Sequence, residues 1–309
     1  MTDSAIPANH QDLLLRTPPT AAIEWARRAV GPRARVVSVE ALLGGISHAN
    51  HAIRLDAAPG PREVVLRRWV RPDWLEVDPE YSPSREVAVY DLLGHSAVPA
   101  PRLLATDVDG RECDVPAILV TRAPGFRLIR PADIGSFVEQ LASVLPLIHG
   151  TDPAAAQRLI PTYQPYYEGT EVRVPAWSSQ QSAWRRAIEL AVGPAPEGTS
   201  AFIHRDYHPG NTLWDSGRLS AVVDWTSASW GPPPVDAAHM RINLATSFGL
   251  DAAEAFLDAY RTVAGESYLH DPRWDLRIAV DFLPDLGGDR SRTELERLDE
   301  FVVRALARL

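Results

Sequence analysis

The chain contains no lysine; all 31 of its basic residues are arginine. Any cation it uses, for structure or for a ligand, is therefore a planar guanidinium rather than a compact ammonium. Cysteine occurs once, at Cys113, which excludes an internal disulfide and a cysteine-based zinc site. No run of eighteen apolar residues exists, so the sequence offers no membrane-spanning helix. Met1 to Ala5 carries neither a basic start nor an apolar segment, so no secretory signal is expected. These absences point to a reducing cytoplasm. Positive charge is also scarce, with 31 arginines against 40 acidic residues and a formal net charge of −9. That balance disfavours nucleic acid as a partner and is compatible with a cationic ligand.

What is present is a chain of 309 residues, long enough for two lobes. Its 27 prolines are scattered, which implies rigid loops rather than a disordered tract. Thr20 to Val30 has helical spacing. Val36 to Leu43 and His51 to Leu55 read as strands around Gly44-Gly45-Ile46-Ser47-His48. That loop is either a phosphate cradle, with Ser47 and His48 facing a nucleotide, or an ordinary hairpin turn. It is not a Walker A loop, because the Gly-Lys-Ser/Thr ending is missing. Val64-Val65-Leu66 is a buried strand that runs into Arg67 and Arg68, whose side chains leave on opposite faces. Ser84 is a candidate N-cap for an amphipathic helix to Leu93, with Glu86 in its first turn. Val115 to Val120 is a further buried strand that ends in Thr121-Arg122-Ala123-Pro124-Gly125. Beyond it the pattern is mainly helical.

The densest chemistry lies at His204-Arg205-Asp206-Tyr207-His208-Pro209-Gly210-Asn211, with Asp224 closing an apolar run thirteen residues later. Thr212 to Trp214 and Leu219 to Val223 flank the turn Asp215 to Arg218, so a β-hairpin returns Asp224 to the end that carries Asp206 and Asn211. Phosphoryl transfer from a nucleotide needs such a set: one carboxylate for the acceptor hydroxyl, and oxygen donors for magnesium on the phosphates. Asp206 takes the first role, and Asn211 with Asp224 the second. His204 and His208 read as structural residues of the turn. Asp236 reads as the N-cap of a helix from Ala237 to Ser247.

At these residues the chain resembles the aminoglycoside phosphotransferase family, small-molecule kinases of protein-kinase fold. Asp224-Trp225-Thr226 stands where protein kinases have Asp-Phe-Gly. The resemblance implies an α+β, two-lobed architecture. Residues 1–120 would form an N-lobe of antiparallel sheet with a helix, 121–125 a hinge, and 126–309 a mainly α-helical C-lobe. It further implies that Arg67 holds the α- and β-phosphates, steadied by Glu86. Backbone groups near Thr121 and Ala123 would meet the nucleobase, and the residue matching Asp236 braces the catalytic loop. The implied donor is ATP or GTP with Mg²⁺. The implied acceptor is a small hydroxylated molecule, an aminoglycoside-type or other antibiotic first of all. Choline-like, amino-acid or sugar-amine acceptors, and a non-catalytic nucleotide-binding module, stay open. Glu168, Glu171, Asp275, Asp281 and Asp285 are candidate contacts for a cationic acceptor.

Overall fold

The structure, a computed structural model, describes residues 8–43, 48–72, 82–128, 130–152, 158–265, 268–283 and 290–309. Gly44, Gly45, Ser47 and Asp285 lie outside these. Two helices, α1 (Ala8–Leu15) and α2 (Thr20–Val30), precede a five-stranded antiparallel sheet. Its strands are β1 (Arg35–Ala41), β2 (Ala49–Asp56), β3 (Arg62–Arg68), β4 (Leu103–Asp107) and β5 (Ala117–Thr121), in the order β1-β2-β3-β5-β4. Between β3 and β4 runs α3 (Pro83–Gly94).

Alternation along β3 sorts its side chains between two cores. Val64 and Leu66 face Ala22, Trp25 and Ala26 of α2 in a small separate core. Val65 faces the other way, into the main core that holds α3 and the helical lobe. Arg67 leaves on the side of Val65 and Arg68 on the side of Leu66. α3 begins at Pro83, with Ser82 as N-cap, rather than after Ser84. Proline at the first helical position lacks only an N–H that would be orphaned there. Arg85 and Glu86 both donate their N–H groups to the Ser82 carbonyl.

After β5 the connector turns at Gly125, whose φ is +94° and where an added Cβ would lie 2.3 Å from the Trp214 carbonyl oxygen. Only glycine fits there. Phe126 and Trp214 then exchange backbone hydrogen bonds of 3.1 and 2.9 Å, which fasten the connector to the hairpin beyond.

The helical lobe comprises α4 (Ile134–His149), α5 (Gln181–Val192), α6 (Pro234–Phe248), α7 (Leu250–Ala264), α8 (Pro272–Asp281) and α9 (Arg292–Leu306). It also carries the hairpin β7 (Thr212–Asp215) and β8 (Arg218–Val222), and the short pair β6 (Ala201–Ile203) and β9 (Ser229–Gly231). Asp133 caps α4 by accepting from the N–H groups of Gly135 and Ser136. Among the described residues no helix is long and apolar enough to cross a membrane.

Candidate active site

β3 delivers Arg67 and α3 delivers Glu86 to the same buried spot, with Nε 2.7 Å from Oε1. The contact is a close ion pair rather than a well-directed hydrogen bond, since neither Glu86 oxygen receives an aligned donor. Burial pushes the Glu86 carboxyl up to about 7, against the pull of Arg67. Burial alone would lower Arg67, but Glu86 and Asp224 outweigh it and keep the guanidinium firmly charged. The far end of Arg67 reaches the helical lobe. Its Nη2 donates to Asp224 Oδ1 at 3.2 Å and to Thr226 Oγ1 at 2.5 Å. Arg68, on the opposite face, is buried and pairs with Asp114.

Asp224 follows β8 in a left-handed conformation, φ 64° and ψ 62°. That region disfavours side chains other than Gly, Asn and Asp. Here it turns the carboxylate out of the hairpin, where it is 42% exposed. Val223 N–H donates to the Asn211 carbonyl at 2.9 Å, which holds Asp224 beside Asn211. The Asn211 amide nitrogen is spent on Asp206, donating to its carbonyl at 3.0 Å and its Oδ2 at 2.9 Å. An amide fixed by its nitrogen presents its Oδ1 as an acceptor. Asn211 Oδ1 and the Asp224 carboxylate therefore form a hard-oxygen donor pair that fits magnesium. No cluster of three His, Cys, Asp or Glu residues of metal-binding form occurs among the described residues.

Asp206 is about one-third exposed. His239 Nε2 lies 3.1 Å from its Oδ1, and His208 Nε2 lies 3.7 Å from its Oδ2. Burial would raise the Asp206 carboxyl, but the two histidines dominate and hold it well below the usual carboxylate range. Such a carboxylate orients a hydroxyl well and is a weak ground-state base. His208 Nδ1 also accepts from Gly210 N–H at 3.1 Å, which shapes the turn.

The loop is braced from behind by Asp236. This residue sits inside the first turn of α6, which starts at Pro234, and is not its N-cap. Its buried carboxylate accepts from His204 N–H at 2.9 Å and Arg205 N–H at 2.7 Å. His149 Nε2 stands 3.1 Å from it, and His149 Nδ1 lies 3.0 Å from the Tyr260 hydroxyl. Arg205 takes a positive φ of 68° and stacks over Tyr166 at 4.0 Å. His204 is buried against Trp225, with Nε2 3.0 Å from the Val223 carbonyl.

The remaining expected positions are spread more widely. His48 is buried edge-on to Trp69 at 4.6 Å, and its burial, with Arg67 and Arg71 nearby, holds the imidazole neutral. Thr121 N–H is committed to the Arg102 carbonyl at 2.9 Å, so anything Thr121 offers a base falls to its carbonyl. Ala123 follows in the connector. Of the acidic candidates, Glu168 is exposed and Glu171 pairs with exposed Arg173. Asp275 is no acceptor contact: it is buried and bound by Arg241 and His270 at 3.0 and 2.9 Å. Asp281 is also buried and accepts from Tyr167 N–H at 3.3 Å.

A model of the phosphotransferase enzyme family matches residues 38–270. The chain belongs to this family. Over 183 residues it is 25% identical to the N-acetylmuramate/N-acetylglucosamine kinase of Pseudomonas aeruginosa. That match covers 56% of this chain and 53% of the kinase, so the chain spans about half the length of this relative. In structure it is similar to a Ralstonia eutropha protein provisionally assigned as an aminoglycoside phosphotransferase. The TM-score is 0.64 at 18% identity, over 94% of this chain and 99% of that one. It is also similar to the macrolide 2'-phosphotransferase MphH of Brachybacterium faecium, with TM-score 0.57 at 20% identity, over 91% and 100% of the two chains. These likenesses show the fold, an α+β, protein-kinase-like architecture of two lobes.

Within this phosphotransferase-family frame, two residues escaped the sequence reading, His239 and His149, and so did the bond from Arg67 to Thr226. For His239 a signal was there. Asp236 and His239 are three apart on α6 and so share a face. That face meets the loop.

Proposed function

We propose that the protein is a small-molecule kinase that transfers the γ-phosphoryl group of ATP to a hydroxyl. One observation carries the reading: contacts run from Glu86 through Arg67 to Asp224, the neighbouring Val223 N–H bonds the Asn211 carbonyl, and Asn211 in turn holds Asp206, which also meets His239. A structural turn rich in Asp and Asn gives no reason for an arginine from the other lobe to reach it. In this reading Asp206 orients the acceptor oxygen and takes its proton as the new P–O bond forms. The loose transition state of phosphoryl transfer asks for placement more than for a strong base.

Asn211 and Asp224 would hold Mg²⁺, which when bound neutralises charge on the phosphates. Arg67 would grip phosphate oxygens as a planar fork, in the role that lysine usually fills. The residues up to 120, the connector 121–125 and the residues from 126 on would be the nucleotide lobe, hinge and acceptor lobe. Gly44, Gly45, Ser47 and His48 would lie over the phosphates, and Thr121 and Ala123 beside the base. Adenine nucleotides are supported as donor by the ADP and AMP-PNP complexes of aminoglycoside phosphotransferase APH(4)-Ia, which is similar at 21% identity. GTP has no such support. The acceptor is a hydroxylated, sugar-like molecule, in keeping with an amino-sugar kinase and antibiotic phosphotransferases among the relatives. A cytoplasmic setting, where ATP is available, suits this activity.

The test is transfer of labelled phosphate from ATP to amino sugars, aminoglycosides and macrolides by the purified protein, with and without magnesium. Tight magnesium-dependent ATP binding with no transfer to any acceptor favours the non-catalytic module instead.

A further inference from the structure

A cleft of about 760 Å³ adjoins the catalytic loop. This is within the range of small-molecule sites, roughly 300–1,000 Å³. Pro209 and Gly210 form one wall, the segment just past the connector a second, and the end of α6 with the start of α9 a third. Three arginines line it, Arg127, Arg130 and Arg297, against one carboxylate, Glu294. That carboxylate is already spent: Glu294 Oε2 accepts from Ser291 N–H at 2.7 Å and from the Ser291 hydroxyl at 2.8 Å in a capping box.

Arg297 is anchored, its Nη1 donating to the Thr246 carbonyl at 2.9 Å and the Ser247 carbonyl at 3.2 Å. Arg127 and Arg130 are exposed and form no ion pair among the described residues. The buried arginines Arg67 and Arg241 are, by contrast, matched to acids, Glu86 and Asp275. In a chain of net charge −9, three arginines gathered on one cleft run against the composition.

We infer that the acceptor carries an anionic group, a carboxylate or a phosphate, that docks between Arg127, Arg130 and Arg297. The inference rests on the phosphotransfer reading above and narrows its substrate class to sugar acids or sugar phosphates. Gly210 is four residues from Asp206, at most about 14 Å along the chain, and the turn between them is folded. Asp206 does not itself line the cleft; on this inference the anion docks there and the sugar ring extends past Gly210 to bring a hydroxyl to Asp206. Guanidinium forks match the planar carboxylate and the phosphate oxygens. A polycationic aminoglycoside would instead meet three like charges, so a cationic acceptor, though compatible with the net charge, does not suit this cleft.

The experiment compares matched acceptors. N-acetylmuramate and N-acetylglucosamine share a ring and differ by a carboxyl-bearing arm. Glucose 6-phosphate and glucose differ by a phosphate, and hygromycin B supplies the cationic case. Transfer from ATP is measured for each, together with calorimetric binding to the protein loaded with magnesium and AMP-PNP. At least one anionic member is expected to exceed its neutral partner tenfold or more in kcat/KM, and which pair shows the effect tells carboxylate from phosphate. Arg127→Ala with Arg130→Ala should bring that ratio toward one, while Arg304→Ala, on exposed α9 surface, leaves it intact. Arg127 and Arg130 are both exposed, so the double variant should fold, which its melting temperature checks. Equal or better use of the neutral or cationic acceptors overturns the inference. So does an unchanged ratio in the double variant, or neither binding nor transfer with any anionic compound. Magnesium-dependent binding of ATP, measured in the same samples, judges the kinase reading separately.

Discussion

His239 Nε2 stands 3.1 Å from Asp206 Oδ1, while the Asn211 amide holds Oδ2 at 2.9 Å. Both carboxylate oxygens are thus fixed by donors, and the group is aimed rather than mobile. An aimed carboxylate is expected to act in the chemical step and not in nucleotide binding. Asp206→Asn should lower turnover on the true acceptor by on the order of 10² or more, with little change in ATP affinity. Near-wild-type turnover in that variant would remove Asp206 from the mechanism.

His239 also sets where Asp206 titrates. The Asp206 carboxyl is depressed, so its ionised form persists far into acid, and activity that needs it is lost only as pH falls through that low value. His239→Ala removes a cause of the depression. The acid limb of kcat/KM should then move to higher pH, and His239→Gln, which keeps a donor, should move it less. Profiles for the three proteins that overlay would show His239 to be packing only.

The strand Val64 to Leu66, the hairpin and the Asp206/Asn211/Asp224 set were legible because each is local: period-two burial, a turn signal and a fixed loop spacing. Arg67 and Glu86 emerged from the order of strand and helix, and alternation alone separated Arg67 from Arg68. Two caps were misplaced for one reason. Pro83 and Pro234 start their helices, which puts Ser84 and Asp236 inside the first turn. Asp236 is thereby released to cap another segment, a long-range role that no local pattern carries. The same holds for Arg127, Arg130 and Arg297, which meet only because α9 docks beside the catalytic loop. Asp275 was a candidate acceptor contact, but Arg241 and His270 enclose it, and that long-range pairing has no local signature.

Asp224 and Asn211 should make nucleotide binding depend on magnesium. Asp224→Ala is expected to weaken binding of ATP in the presence of magnesium far more than in its absence, read by calorimetry under both conditions. Equal wild-type affinity with and without the metal would show that these oxygens do not hold it.

Asp281 predicts how stability varies with pH. Burial raises its carboxyl to about 7, with backbone donors from Tyr167 and Tyr166 only partly offsetting this. The unfolded value is about 3.9, so the folded state holds the proton more tightly. Its contribution is full below the unfolded value and is lost as pH climbs toward about 7. Asp281→Asn keeps an acceptor for the Tyr167 N–H and never ionises. The variant should gain melting temperature relative to wild type at pH 8 and gain little at pH 5. A difference that does not vary with pH would mean that Asp281 is already ionised across the range.

Arg67 and Arg68 are adjacent in β3 and should fail in different ways. Arg67 joins Glu86 to Asp224 and Thr226 across the two lobes, so Arg67→Ala should raise the ATP Michaelis constant and lower turnover together. Arg67→Lys restores a charge but not the fork, and should recover only part of the activity. Arg68 is buried on the other face with Asp114 as partner. Its truncation opens a hole and strands a half-exposed carboxylate, which should cost about 1–3 kcal/mol of stability and leave the ATP Michaelis constant near wild type. Melting temperature and steady-state kinetics at one magnesium concentration separate the two effects. Should Arg68→Ala cripple ATP binding while Arg67→Ala is silent, the register of β3 is off by one residue and the clamp is Arg68.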